Sequence, residues 1–395
     1  MVRKRERGLL RYRYYDQKNR VRDFGISTPP SLLGLQEIMG WCAKAVDTLS
    51  DRLTFRGFRE ADDVFDLDQI LRLNDRDRLC SSAILGALIV GCSFVYISRD
   101  ETGFPRLQDI DGTDATGILN PVTGLLDEGY AVLERDERHL PVTEAYFLPG
   151  QTIIYRDGKQ AEIYQNTARY PLLCPVIFRP DAMRPFGHSR ISRACMSHVD
   201  AASRTAKRAE ITAEFYSFPQ KYAVGTDPGL QLEAWSAAMS AMINLSKGED
   251  GDQPKLGQFQ QASMEPHIAQ LRMEAALFAG ETGLTLDDLG FVTDNPSSSE
   301  AIKAAHENLR LTARRAQAHF GAAFRNVCYL AACERDDFAY NRQAFYGIRP
   351  LWAPVFEPDT QALAAIGDGA YKLNEALPGY VDELTMDALT GMERA

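Results

Sequence analysis

The sequence predicts a helix-rich α+β fold divided into two or three packed units. Three observations carry that prediction. The chain has 395 residues, and a domain takes roughly 100 to 200 of them. At 45% hydrophobic and 25% charged it has the composition of a folded globular protein, which excludes general disorder, a collagen-like repeat and a disulfide scaffold. Short alternating segments fill its first half, whereas later stretches are Ala-rich with an apolar residue every three or four positions.

Residues 1–23 hold nine Lys or Arg against Glu6, Asp16 and Asp23, a local balance of +6. With Tyr12, Tyr14 and Tyr15 among them, they read as a mobile basic arm that meets phosphate or an acidic neighbouring subunit, or as a solvated terminus. After Pro29-Pro30, the residues Leu35, Ile38, Met39, Cys42, Ala45, Val46 and Leu49 follow the spacing of one buried helix face. Leu53-Thr54-Phe55-Arg56 then alternates as a strand. A helix through Ile84, Leu85, Leu88 and Ile89 leads into a β-favouring run at 93–97. Further strands are expected at 130–133, 144–147, 153–155 and 162–164, the last two joined by Asp157-Gly158, a strong hairpin signal. Residues 31–180 thus read as one α+β domain.

From Ser189 an Ala-rich helix studded with Lys and Arg runs to about Phe215, ~40 Å at 1.5 Å per residue. A small α/β insert follows, with strands near 220–224 and 255–259, a helix over 232–245 and a charged loop from Lys247 to Pro254. Pro266 suits the first turn of a helix that ends near Gly280. Ser297 and Glu300 make a capping box, and the stripe Ile302, Ala305, Leu309, Ala313, Ala316, Phe320, Phe324, Val327 and Leu330 runs behind it. A helix over 298–333, ~54 Å long, reads as a strut in an elongated subunit. An extended stretch at 347–355, a helix from about 358 to 375 and a short helix near 381–390 complete the chain.

A formal charge of −10 excludes a coat of nucleic acid held by bulk charge. The seven cysteines are scattered, odd in number and without a C-x-x-C pair, so neither a disulfide framework nor a zinc site is expected. The N-terminus lacks the apolar stretch of a secretory signal. Leu79 to Ser98 is uncharged and just long enough to cross a bilayer, yet Gly86 and Gly91 interrupt it, so a buried helix turning into a core strand fits better and no membrane is expected. Nucleotide-binding glycine loops, H-E-x-x-H and G-x-S-x-G are all missing. Asp109, Asp111 and Asp114 imitate a calcium loop, but Gly112 falls at position four and Asn120 at position twelve. Ser197, His198 and Asp200 gather the residue types of a triad, but neighbours on a helix point to different faces. No catalytic residue, cofactor or metal is assigned.

Three local motifs, in this order of elements, resemble the portal proteins of tailed bacteriophages, the long-tailed type in particular. The first runs from Gly280-Glu281-Thr282-Gly283-Leu284 through Gly290 to Thr293-Asp294-Asn295-Pro296-Ser297-Ser298-Ser299-Glu300-Ala301-Ile302, similar to the family's "TGLP…LG…NPSSAEAI" stretch. The second is Pro185-Phe186-Gly187-His188-Ser189-Arg190-Ile191, and the third Val90-Gly91-Cys92-Ser93-Phe94-Val95-Tyr96, similar to the "GRS" and "YGxxYV" segments. His188 stands where Arg is usual, and Leu286-Asp287 where Pro is common. The resemblance covers about residues 31–375.

The resemblance implies a portal fold and a ring of usually twelve subunits at a unique capsid vertex, in the virion and assembled in the host cytoplasm. Double-stranded DNA is pumped through it by terminase, whose large subunit docks there before a head-tail adaptor, and major capsid and scaffolding proteins surround it. Residues 24–187 would be the wing, 188–215 and 263–281 the stem helices, and 216–262 the clip. Residues 282–297 would form the tunnel loop, 298–335 the long wing helix, and 336–395 the C-terminal wing with a short crown. The clip's docking loop would use Lys247, Glu249, Asp250, Asp252 and Lys255. In the tunnel loop, Asp287 and Asp288 would repel a moving polyanion, while Leu284, Leu286 and Leu289, beside Thr285, would pack against adjacent loops or be buried locally. Arg190, Arg193, Arg204, Lys207 and Arg208 on the stem, and Arg310, Arg314 and Arg315 on the long helix, would pair with neighbouring subunits, face phosphate or lie solvated.

Two other classes compete. A nucleic-acid-processing enzyme of a mobile element would use Asp109, Asp111 and Asp114 with a divalent metal. A DNA-binding adaptor would work through the basic arm and lose DNA when residues 1–23 are removed.

Overall fold

The structure, a computed structural model, describes residues 2–24, 28, 30–59, 64–217, 221–224, 255–258, 263–291 and 304–392. Along the described chain run α1 (Val2–Tyr15), α2 (Trp41–Ser50), β1 (Phe55–Arg59), α3 (Leu67–Leu73), α4 (Arg76–Val90), β2 (Cys92–Arg99), β3 (Pro105–Ile110), β4 (Ala115–Leu119), β5 (Leu126–Arg135) and β6 (Pro141–Leu148). There follow β7 (Gln151–Arg156), β8 (Lys159–Gln165), β9 (Leu173–Ile177), α5 (Arg193–Ser217), β10 (Lys221–Val224), β11 (Lys255–Gln258), α6 (Glu265–Thr282), α7 (Glu307–Asp336), β12 (Arg349–Trp352), α8 (Thr360–Ala376) and α9 (Glu383–Thr390). The mixture of helix and strand is the α+β class expected. Two compact units share these elements: Met1–Asn19, Gly40–Met196 and Ala279–Ala395 form one, and Arg20–Met39 with Ser197–Phe278 the other.

The core of the first unit is a three-stranded antiparallel sheet in the order β3-β2-β9. Both α4 and α7 pack on it. β9 is buried at all five positions, which requires cover on both faces. Pro175 is tolerated there because β9 is an edge strand, paired only with β2. The uncharged run from Leu79 resolves as α4, which stops at Gly91 (φ +116°) and turns into β2. Among the described residues no helix is long and apolar enough to cross a membrane. A five-stranded antiparallel meander, β4 to β8 in sequence order, adjoins the core. Asp157 and Gly158, both at positive φ, close its last hairpin. β1 and β12 pair against α7, where Phe55 and Phe324 lie 5.0 Å apart. All seven cysteines are free and buried.

Several expectations change. Residues 2–15 are not a mobile arm but a docked helix: Tyr15 Oη donates to Asp47 Oδ1 at 2.8 Å, Arg11 Nη1 to the Val90 carbonyl at 2.6 Å, Lys4 Nζ to the Ala115 carbonyl at 2.9 Å, and Tyr12 Oη to Asp111. The cations that suggested solvation cap buried carbonyls with their tips while their stems pack. The helix expected from Leu35 starts only at Trp41, because residues 20–39 turn away to join the second unit, where tertiary partners override local periodicity. The long helix is described over Glu307–Asp336, with His306 as its N-cap and three residues beyond the expected end at 333; its expected start at 298 and the box at Ser297 and Glu300 lie outside the described residues, as does the helix expected over 232–245.

Candidate functional site

The second and third motifs meet in space. Gly187 (φ +75°) sits where a Cβ would come within 2.1 Å of the Phe178 carbonyl and 2.8 Å of the Gly91 carbonyl, so the contact demands glycine on both conformational and steric grounds. Around it, Phe178 N donates to the Gly91 carbonyl at 3.0 Å, His188 N to the Phe178 carbonyl at 2.9 Å, and Arg190 N to the Leu88 carbonyl at 2.7 Å. The segment thereby seals the C-terminal end of α4, whose last carbonyls lack helical partners. Ser189 Oγ adds a bond to the Ile89 carbonyl at 2.6 Å.

Arg190 brings the first motif to the same place. Its guanidinium donates to the carbonyls of Thr282, at the end of α6, and of Ala45, on α2. It is only 7% exposed. Burial, with Arg179 adding to it, pulls its pKa down to about 10. This corrects the expectation that Arg190 meets a neighbouring subunit or phosphate: its donors are spent on the protein's own backbone, because a buried guanidinium must be satisfied internally.

The turn after α6 is likewise turned inward. Leu284 and Leu289 are buried, so the local-burial alternative holds for them, while Leu286 is half-buried. Thr285 and Asp288 cap each other: the Thr285 amide and hydroxyl both donate to Asp288 Oδ2 at 2.9 Å, and Asp288 N donates to Thr285 Oγ1 at 3.2 Å. His306 Nε2 lies 3.3 Å from that same carboxylate. Burial works against the charge, but these donors and His306 hold the Asp288 carboxyl below its ordinary value. Asp288 is therefore a structural acid rather than a free repelling charge; Asp287, beside it, is exposed. Residues 292–300 lie outside the described residues.

In the second unit the segment 20–39 lies along α5. Lys207 is buried, pairs with Asp23 at 2.7 Å and reaches the Leu33 carbonyl at 3.2 Å. Arg204 stacks over the Phe24 ring, 4.9 Å from its centroid. Buried Lys207 thus finds its partners in this segment, while Arg204 is half-buried. Arg208 is half-buried and Arg193 exposed. His198 on α5 donates from Nδ1 to Glu274 on α6 at 2.8 Å, and Thr212 and His267 hydrogen-bond at 3.2 Å.

α6 buries Ala275 and Phe278 on one face, while Met273 and Leu277, four residues apart on the opposite face, are 52% and 48% exposed; Ile268, near the start of the helix and in line with Ala275, is 61% exposed.

On α7, Arg310 pairs with Glu307 three residues away, while Arg314 and Arg315 are exposed. Of the docking loop only Lys255 lies among the described residues, exposed at the start of β11; Lys247, Glu249, Asp250 and Asp252 do not. The aspartates of the metal alternative each answer a different partner. Asp109 accepts from Ser82 Oγ at 2.6 Å, Asp111 from Tyr12 and the Thr113 amide, and Asp114 from Arg135 at 2.6 Å. Among the described residues no group of three His, Cys, Asp or Glu converges as a metal site. Burial pushes the Asp109 carboxyl up to about 6, against the pull of Ser82 and with Asp111 adding to the rise.

No protein-family model matches the chain. Curated relatives do: the portal protein of Mycobacterium phage L5 is 26% identical over 383 residues, 91% of this chain and 77% of its own length, and that of Mycobacterium phage D29 is 25% identical over the same shares. Over nine-tenths of its length the chain is thus similar to phage portal proteins. Among solved structures, a chain from the virion of a native gene transfer agent particle matches with a TM-score of 0.47, and one from the neck of an empty particle with 0.48, each at 14% identity and 90% coverage of both chains. In this chain the second and third motifs and Arg190 form a junction of α2, α4, the 185–191 segment and the end of α6. Sequence inspection singled out the motifs by resemblance and expected an exposed Arg190; no local signal around Ser189-Arg190-Ile191 places it inside.

Proposed function

We propose that copies of this chain close into a ring, of twelve subunits, at a unique vertex of a phage capsid. The ring is a conduit for double-stranded DNA during packaging and ejection, and a platform first for the terminase large subunit and then for a head-tail adaptor. In this reading residues 24–187 are the wing, 188–215 and 263–281 the stem, 216–262 the clip and 282–297 the tunnel loop. The long helix and the segment after it belong to the wing, which meets major capsid and scaffolding proteins.

The supporting observation is the uncovered stripe of α6. Met273 and Leu277 share one face of a helix whose opposite face is already buried, the pattern of a rod flanked by further rods. A neighbouring copy that covers them adds roughly 2 kcal/mol per junction, at ~1 kcal/mol for each half-exposed side chain, and a ring repeats that gain at every junction. Charge supports the same reading: twelve copies at −10 each carry about −120, which suits a channel that must not hold a passing polyanion.

Mass photometry and single-particle imaging of the purified chain are the test. The wild type is expected as an annular particle, and Met273→Asp as a folded chain with its circular dichroism intact and its assembly at least tenfold weaker. A wild type that stays a stable monomer at high concentration overturns the ring; a Met273→Asp variant that assembles normally removes the stripe from its interface.

A further inference from the structure

One cleft of this acidic chain gathers positive charge. A cleft of about 760 Å³ in the first unit is lined by Arg56, Arg59, Arg76, Arg310 and Arg314, against which stand only Asp68 and Asp387. Three elements bring the arginines together. β1 supplies Arg56 and Arg59, the first turn of α4 supplies Arg76, and α7 supplies Arg310 and Arg314, four residues apart on one face. Some of this charge is used internally. Arg76 Nη1 donates to the Arg56 carbonyl at 2.5 Å, Arg56 Nη1 to the Gly391 carbonyl at 2.8 Å, and Arg310 pairs with Glu307. Asp68 already answers Arg72, outside the cleft. Arg59 and Arg314 are exposed; each lies near enough to a carboxylate, Asp382 and Glu307 respectively, to help hold it charged, but neither makes a hydrogen bond or close ion pair among the described residues.

The walls between the arginines are apolar, with Phe58, Trp352 and Phe356 prominent. One wall is the chain's own helix α9, which presents Asp387 and Leu389 to the cleft, with Met392 just beyond its end. A short helix combining a carboxylate with aliphatic side chains already rests against this surface, so the cleft displays the chemistry of what it accepts. Nucleic acid fits it less well. A duplex offers a convex row of phosphates with no side chains for the aromatic walls, and Asp387 would face that row. A volume of this size is that of a pocket for a small ligand or for the anchor side chains of a peptide.

We propose that this cleft docks an acidic, amphipathic helical segment of a partner protein, its carboxylates on Arg59 and Arg314 and its apolar side chains beside α9 on Trp352 and Phe356. Helix-in-groove recognition supplies affinity through the buried apolar anchors, and bidentate arginine–carboxylate pairs fix the register. The proposal does not depend on ring assembly.

The test is fluorescence anisotropy on the full-length chain, unassembled and assembled. The probes are a labelled 14-residue helical peptide with glutamates on one face and leucine and phenylalanine on the other, the same peptide with glutamine for glutamate, and a labelled oligothymidylate of equal length. The glutamate peptide is expected to saturate with a micromolar Kd, and the glutamine version to bind at least tenfold more weakly. Arg59→Glu with Arg314→Glu should lose at least tenfold while the melting temperature holds, because both side chains are exposed. Arg314→Gln alone should lose several-fold, and Arg138→Glu, on a distant exposed loop, nothing. Four results overturn the proposal: no saturable binding, binding that ignores these arginines, tighter binding of the oligonucleotide through them, or binding to the free subunit that assembly abolishes, which would make a second copy the occupant.

Discussion

Arg190 shows how a single side chain joins three segments far apart in sequence. Its guanidinium holds the end of α6 and the middle of α2 while its amide closes the end of α4. Arg190→Ala removes the charge-assisted hydrogen bonds that the Thr282 and Ala45 carbonyls accept from its guanidinium, each worth about 1.5–3 kcal/mol. Urea denaturation is expected to show a loss of about 2–5 kcal/mol. Arg190→Lys should recover less than half of it, since a single ammonium cannot reproduce the forked geometry. A surface arginine would change stability by no more than about half a kcal/mol, so the measurement separates the two placements. The exposed role expected for this residue fails for a physical reason: arginine is usually found outside, and nothing local reveals that its neighbours Ser189 and Ile191 are anchored against α4.

Among the elements, α1 departs most from its expected role. Its basic composition points to solvent, but Tyr12 and Tyr15 donate to Asp111 and Asp47, and Gly8 lets the helix approach Thr113 so closely that a Cβ would fall 2.4 Å from its methyl group. Tyr12→Phe is expected to lower the unfolding free energy by about 1–3 kcal/mol, because the partly buried Asp111 carboxylate loses its donor. An unattached arm predicts no change. Other elements are legible for equally local reasons. Asp157-Gly158 specifies its own turn, and Gly91 specifies the exit from α4, whatever the rest of the chain does. β9 is not legible: Leu173-Cys174-Pro175-Val176-Ile177 has no alternation because both faces are covered, and Pro175 argues against a strand until its edge position is known. The early start expected for α2 fails in the opposite way, since Leu35, Ile38 and Met39 keep a helical spacing in a segment whose bonding partners lie on α5.

For the whole molecule, charge and apolar surface act against each other. Copies at −10 each repel one another, while the stripe on α6 favours association regardless of charge. Salt screens the first and leaves the second intact or strengthened. Sedimentation velocity at a fixed protein concentration should therefore show the assembled fraction rising as sodium chloride goes from 50 to 500 mM; a fall would mean that ion pairs across the junctions dominate instead. The α+β class, the helix-strand-helix order and the likeness to phage portal proteins were legible because each rests on many residues at once. The junction at Arg190 and the arginine cleft were not, because each arises where elements distant in sequence converge.

The sealed thiols have a practical corollary. All seven lie beneath the surface, and burial lifts several of them, Cys80 up to about 12, so almost none of their sulfur is in the reactive anionic form at neutral pH. A cysteine introduced on an outer helix face would then be the dominant target for a maleimide dye or spin label, which makes the unaltered protein a quiet background for labelling.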